Sequence, residues 1–485
     1  MRPSRANGLA TIVAASSVAC SNAATMQRAT GAPTLTAADT AFVDTLSKRT
    51  FEFFWQTTNP RNGLAPDRWP SKSFSSVAAT GFALTAYPVG VERGWVGRDS
   101  ARVRVLTTLR FFWQSAQGRQ SDRVTGYKGF YYHFLDMETG YRFEHVELST
   151  IDTALLLAGA LTCQQYFNGN DPAEREIRAL TDSLYGRVDW QWARDSGITV
   201  NMGWRPEAAP YQNARGFNIS SWRGYDEGMI LYILALGSPT HPVDPEAWTE
   251  WTKTYKWDRF QGYELVQFAP LFGHQYSQIW IDFRGVRDAY MRGKGIDYFE
   301  NSRRAVLSQR EYAEANPNKW RGYDADVWGL SASDGPLDST LTVGGQRRQF
   351  HTYWARGAAA GETRDDGTIA PTAAGGSIAF APTVVVPALR VMRARYGAPL
   401  FAQYGFVDAF NPTLLATGAP LHHGHIIDRL AWFDTDYLGI DQGPILAMAE
   451  NWRTGMIWRL LRDNRHVVRG MCRAGFDGGW LAGRC

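Results

Sequence analysis

The sequence predicts an all-α fold, an (α/α)6 toroid with a small β-hairpin insertion and long loops at one end. Three observations lead there. First, acids and polar residues stand directly before helical runs that have almost no polar side. This happens at Glu147–Asp152 before Thr153–Gly159, at Gly224–Glu227 before Gly228–Ala235, and at Gly439–Pro444 before Ile445–Ala449. A helix apolar on all sides is packed on all sides, while its N-terminal N–H groups still need partners. Second, Val77–Ala86 and Ser377–Val386 alternate small and large apolar residues in the same way, and a sixth run lies around Phe268–Ile281. Third, helices with charged faces, such as Asp297–Ala315, separate these runs. Buried helix alternating with amphipathic helix, about six times, reads as an inner and an outer ring.

The elements follow in order. Residues 1–25 read as an export signal, with Arg2 and Arg5, then Leu9–Ala15, then small residues. Ser17-Val-Ala-Cys20 partly resembles a lipoprotein cleavage box, and Cys20 would then carry a lipid anchor. Residues 26–38 are a Thr/Ala-rich linker, 39–470 the helical domain and 471–485 a Gly-rich tail. A helix from Asp39 ends beyond Trp55, before the Asn59–Gly63 turn. The next opens at Ser75/Ser76 and stops at Pro88. Residues 98–117 show apolar residues at helical spacing. A β-hairpin is predicted from Gly129–Phe134 to Arg142-Phe143, turned at Glu138–Gly140. Further helices are predicted at 149–167, 172–189, 226–236, 244–256, 294–315, 377–396 and 443–462. Loops 190–222 and 317–376 exceed ordinary connections and read as functional.

Composition excludes several classes. The net charge of +4 is too balanced for nucleic acid or an anionic membrane surface. No later apolar run is long enough to span a bilayer. Aromatic residues make up 13 % of the chain, and those outside the core sit in loops rich in Trp, Arg, Asp and Gly. Such loops suit stacking against flat apolar faces such as sugar rings. Of four cysteines, Cys163 reads as a buried thiol, and Cys472 with Cys485 can bridge in an oxidising compartment. His422-His423-Gly-His425 is explained by a loop turn as well as by a metal. With no zinc spacing and no dense Asp/Asn loop, no metal and no cofactor is predicted.

The helix starts carry the candidate chemistry. Ser149 and Asp152 fit a capping pattern, so Asp152 is explained equally by capping and by function. Glu147 precedes that cap, where no helix needs an acid. Glu227 is expected in the first turn of its helix, where the dipole favours an acid by under about 1 kcal/mol. Desolvation beside Met229–Leu234 costs more and would raise its pKa, as a general acid near neutrality requires. Asp441 reads as an N-cap or as a sugar ligand with Gln442. Two carboxylates across an aromatic-lined cleft suit glycosidic cleavage. Arg68, Trp222, His274, Tyr276, Asp441, Gln442 and Trp452 are the candidate substrate-binding residues. They stand among Trp-Arg runs at 204–205, 222–223, 320–321 and 452–453.

Phe51–Trp55 through Asp67-Arg68, Ala79–Ala86, Glu147–Leu155, Gly224–Glu227, Ser238–Pro242 and Gly439–Pro444 together resemble the bacterial glucoamylase-like domain. That group includes endo-β-1,2-glucanases and the transglycosylating domain of cyclic β-1,2-glucan synthases. The resemblance covers about residues 40–465 and implies an (α/α)6 barrel acting on β-1,2-glucan, not starch. It matches Glu227 to an acid implicated in catalysis and places Glu147 with Asp152 in the other acidic motif. Asp226 departs from the pattern, where Asn is common. Stand-alone hydrolases of the group look inverting and the synthase domain retaining, and the chain lacks the additional synthase domains. The expectation is an exported endo-β-1,2-glucanase, periplasmic or bound to the outer membrane, with Glu227 as proton donor and Glu147 or Asp152 handling water. An exo-acting relative releasing sophorose, or a non-catalytic glucan-binding lipoprotein, is the alternative.

Overall fold

A computed structural model describes residues 35–485, so the expected export signal, Cys20 and most of the linker lie outside the described residues. Six helix pairs build the toroid, each an outer helix followed by an inner one. They are α1 (Ala37–Thr57) with α2 (Val77–Glu92), α3 (Arg98–Gln114) with α4 (Thr150–Tyr166), and α5 (Pro172–Arg187) with α6 (Met229–Gly237). Then follow α7 (Glu246–Thr252) with α8 (Phe272–Trp280), α9 (Tyr298–Ala315) with α10 (Pro371–Gly375), and α11 (Pro382–Tyr396) with α12 (Gly439–Thr454).

Burial follows the residue pattern. Every residue of α6 is buried, whereas α5 buries only Glu174, Ile177, Thr181, Leu184 and Tyr185, one stripe at helical spacing. Around the inner ring α2 packs on α4, α4 on α6, α6 on α8, α8 and α10 on α12, and α12 on α2. Gln275 of α8 ties in α10 by donating to the Ala373 carbonyl at 2.9 Å. At the α2–α4 contact the backbones nearly touch. A Cβ on Gly159 would fall 2.1 Å from the Gly81 carbonyl oxygen, so only glycine fits there.

Several boundaries differ from expectation. Pro88 does not stop α2, which runs to Glu92. Proline leaves the carbonyl four residues earlier without its N–H, and the Cys163 thiol donates to that Leu84 carbonyl at 3.0 Å. The predicted 377–396 helix is broken. Ala381, disfavoured from helical geometry by the following Pro382, separates α11 from the Ser377–Ala381 turn, and the inner helix is the earlier Pro371–Gly375. Helix 443–462 likewise divides at Gly455, φ 65°, into α12 and α13 (Met456–Arg462). The 226–236 helix starts only at Met229, with Gly228 as its N-cap, because the Asp226 carboxylate accepts the Gly228 N–H at 2.8 Å and holds residues 226–228 in a turn.

The hairpin insertion is larger than predicted. Gly126–Tyr127, Phe130–Tyr132, Leu148–Ser149 and Gly203–Trp204 form a four-stranded antiparallel sheet, while Phe134–Leu135 pairs with Ser75–Ser76. The tail belongs to the compact body: α14 (Arg465–Arg473) packs on α6, Leu481 is buried, and Cys472 is bonded to Cys485. No helix among the described residues is long and apolar enough to cross a membrane.

Candidate active site

The acidic helix starts gather at one end of the inner ring. Glu147 immediately precedes the strand Leu148–Ser149, which leads straight into α4, and Asp152 lies in the first turn of α4. The adjacent strands bring His133 between them. Its Nδ1 lies 2.8 Å from Glu147 Oε1 and its Nε2 3.6 Å from Asp152 Oδ1. Arg205 donates to the other Glu147 oxygen at 2.9 Å. Burial raises the Glu147 pKa, but the His133 bond and charge outweigh it and hold the carboxyl down at about 2. Burial works against a charged His133, yet the Asp152 charge and the Glu147 hydrogen bond push it up to about 9. Asp152 is buried and moves upward through burial, opposed by His133 and by the Ser149 hydroxyl that donates to it.

Glu227 has the opposite environment. It lies in the turn before the Gly228 N-cap, not in the first turn of α6 as expected. Its carbonyl accepts from the Ser277 hydroxyl of α8 at 3.0 Å, which fixes the turn. Burial drives its carboxyl up to about 7, its own backbone N–H draws it back, and the Asp152 charge adds to the rise. Tyr276 stands on α8 between two acids: burial first, then the charges of Asp441 and Glu227, push its hydroxyl up.

Asp441 is in the first turn of α12, and Leu438 rather than Asp441 is the N-cap. Burial raises the Asp441 carboxyl to about 7, and the adjoining Asp408 carboxyl draws it back. Arg68 forms an ion pair with Asp334 at 2.6 Å. Its neighbour Asp67 is raised to about 6 by burial, opposed by Arg68 and His133. The arc from Glu147 through His133, Asp152, Glu227, Tyr276 and Asp441 to Arg68 and Asp67 therefore returns to His133.

Three more sequence candidates are buried with protein partners, and a fourth lies along α12 away from Asp441. Trp222 is 5 % exposed, and its Nε1 donates to Thr150 Oγ1 at 3.0 Å, bracing the start of α4 from behind. His274 is 1 % exposed with Nε2 3.1 Å from the Phe268 carbonyl, and burial lowers it to about 4. Gln442 is buried and donates to the Phe406 carbonyl at 3.0 Å. Trp452 lies at the far end of α12, about 16 Å along the axis from Asp441 at ~1.5 Å per residue. Trp222, His274 and Gln442 are therefore packed into the protein behind the acidic end, and Trp452 is at the opposite end of its helix.

Sequence reasoning missed His133, whose signal was a lone polar residue inside an aromatic strand. It also missed Phe134, stacked on His133 at 4.1 Å, and its half-buried neighbours Phe74 and Phe143, which together offer an aromatic platform. Tyr353 was missed too. Its ring is 52 % exposed, yet its hydroxyl is pushed up by the loss of water around it and then by Asp441 and Asp408.

Comparison with known proteins agrees with this architecture. The Exo beta-1,2-glucooligosaccharide sophorohydrolase (non-reducing end) of Parabacteroides distasonis is 27 % identical over 466 residues, or 89 % of this chain. The chain spans 57 % of that relative's length. An endo-beta-1,2-glucanase from Chitinophaga pinensis, solved with sophorotriose and glucose, is 27 % identical with a TM-score of 0.76, over 92 % of this chain and all of that one. A "putative glucoamylase" structure from Bacteroides fragilis is 31 % identical with a TM-score of 0.74, over 92 % of this chain and 99 % of that one. The Glycoamylase family model, described as "Putative glucoamylase", matches residues 220–465, which include Glu227 and Asp441. The chain belongs to this family.

Proposed function

We propose that the protein is a glycoside hydrolase that cleaves β-1,2-glucan internally to sophoro-oligosaccharides, with inversion. The observation that carries the reading is Glu227, an acid brought to about 7 by burial at the same end of the toroid as an ionised carboxylate group. At neutral pH a large fraction of Glu227 carries the proton that a leaving glycosidic oxygen needs. Glu147, held near 2 by two cations, is a weak proton acceptor, and its role is to keep His133 charged and in place. Asp152 is the more basic partner and acts on the water. Asp441, across Tyr276 from Glu227, is the other carboxylate bordering this space. The Chitinophaga endo-beta-1,2-glucanase and the Parabacteroides sophorohydrolase support β-1,2-glucan as substrate.

The test is hydrolysis of linear β-1,2-glucan by Glu227→Gln, Asp152→Asn and Asp441→Asn, with proton NMR of the new reducing end. Loss of roughly 10³-fold in kcat for Glu227→Gln with unchanged circular dichroism is expected. Retained activity removes Glu227 from the mechanism. Initial α-anomer from the β-linked substrate marks inversion. An exo-acting reading, release of sophorose, is favoured by the name of the Parabacteroides relative alone. The proposal includes export to the periplasm, supported by the Arg2/Arg5 and Leu9–Ala15 pattern, with Cys20 as lipid attachment. A Cys20→Ala protein still found in the membrane fraction would refute the anchor.

A further inference from the structure

Six carboxylates, Asp67, Asp334, Asp408, Asp434, Asp436 and Asp441, are all buried around Arg68. Arg68 is the sole ion-pair partner they have among the described residues, at 3.4 Å from Asp67, 2.6 Å from Asp334 and 3.7 Å from Asp436. Arg68 pairs with only three of the six, and a buried carboxyl without a partner is costly. Two triads sharing Asp334 are compact enough to hold an ion: Asp334 with His423 and Asp436, and Asp334 with Asp408 and Asp434.

The first triad already surrounds a cation. Arg68 Nη1 lies 2.6 Å from Asp334, 3.4 Å from His423 Nε2 and 3.7 Å from Asp436. The second has none. One oxygen from each of Asp334, Asp408 and Asp434 lies within 4.8 Å of the others, and all three residues are buried. Backbone N–H groups fix the far side of two of these carboxylates. Asp408 Oδ2 accepts from Asp334 at 2.7 Å, and Asp434 Oδ1 accepts from Thr435 at 2.7 Å and Asp436 at 3.3 Å. The remaining oxygens, Asp408 Oδ1 and Asp434 Oδ2, are buried and have no hydrogen-bond partner. Asp434 Oδ2 is held ready and unused, while the Asp408 carboxyl also meets that of Asp441, and a buried oxygen left without a donor calls for a ligand.

We propose that Asp334, Asp408 and Asp434 bind a calcium ion beside Arg68. An all-oxygen carboxylate set selects hard cations, and magnesium keeps several waters and uses one or two carboxylates. Three buried carboxylates converging on one point match calcium. The ligands come from separate loops, so the ion ties the Asp334 loop to the Ala431–Phe433 strand region and sets the loop wall that carries Arg68. Its role is positional. It supplies the counter-charge that Arg68 alone does not.

The test uses the full chain without glucan. After treatment with EGTA and dialysis, calcium is titrated by calorimetry, and metal content is measured by plasma mass spectrometry before and after. One calcium per chain is expected, with Tm rising about 3 °C at 100 times the Kd. Asp434→Asn should weaken calcium at least tenfold while circular dichroism stays unchanged. If that variant fails to fold, the wild-type titration decides. No bound calcium up to millimolar concentration, with Tm unmoved by EGTA, overturns the proposal. So does an equal Tm shift from sodium chloride at matched ionic strength, which would be screening rather than binding.

Discussion

Glu227 and Glu147 bring the same functional group into opposite fields. Glu227 has burial and the Asp152 charge against it and rises to about 7, while Glu147 is held by His133 and Arg205 at about 2. Because the donor must be protonated, kcat should hold below pH 7 and fall tenfold per unit above it, read from a pH–rate profile on β-1,2-glucan. A flat profile between pH 6 and 8 would contradict this assignment. His133 adds a stability effect. Raised from 6.5 to about 9, it contributes fully below pH 6.5, and the contribution is lost as pH rises through 9. With about a third of its ring in water, ~1–2 kcal/mol is expected after screening. Urea denaturation of the wild type and His133→Gln at pH 6 and pH 9.5 should show a gap that closes at the higher pH. Glu147 was legible as an acid where no helix needs one, whereas Asp152 was equally explained by capping and Glu227 was favoured by the helix dipole, so only desolvation singled it out. The Asp334, Asp408 and Asp434 group was not, since its members come from irregular loops that have no period to read.

At the scale of elements, local signals were reliable where one residue decides and failed where a distant partner does. The apolar runs of α2, α4 and α6 were visible because burial on every side leaves no polar face. Pro88 misled, because its cost is met by a thiol from α4, 75 positions along the chain. That compensation is testable. Cys163→Val removes the donor to the Leu84 carbonyl in a dry core and should cost about 1–2 kcal/mol, measured as a lower urea midpoint at constant m. Cys163→Ser keeps a donor and should recover most of the loss. Equal destabilisation by both would mean that packing, not the hydrogen bond, holds α2 straight. The break at Ala381 was written in Pro382, yet the amphipathic continuation to Tyr396 concealed which half was the inner helix.

At the scale of the molecule, the toroid aligns six inner helix starts, so acids distant in sequence share one end, with a small sheet adding Glu147 and His133. The order of rings was legible from alternating burial, whereas the loop walls were not, since hairpins such as Ser339–Val343 with Gln346–Phe350 have no inner-face pattern. Those walls decide how a polymer enters. A cleft open at both ends lets a chain lie across the acids and be cut internally, whereas a wall closing one end admits a terminus and measures off a fixed unit. The relatives include both modes, an endo-glucanase and a sophorohydrolase, on the same fold. Size-exclusion of a β-1,2-glucan digest at a few per cent conversion separates them. For the proposed internal cleavage, mean chain length should drop steeply while sophoro-oligosaccharides of several sizes appear together. Sophorose alone from the first time point, with the polymer peak shrinking but not shifting, would assign terminal attack. An unchanged polymer retained by the protein on an affinity gel would assign binding without cleavage.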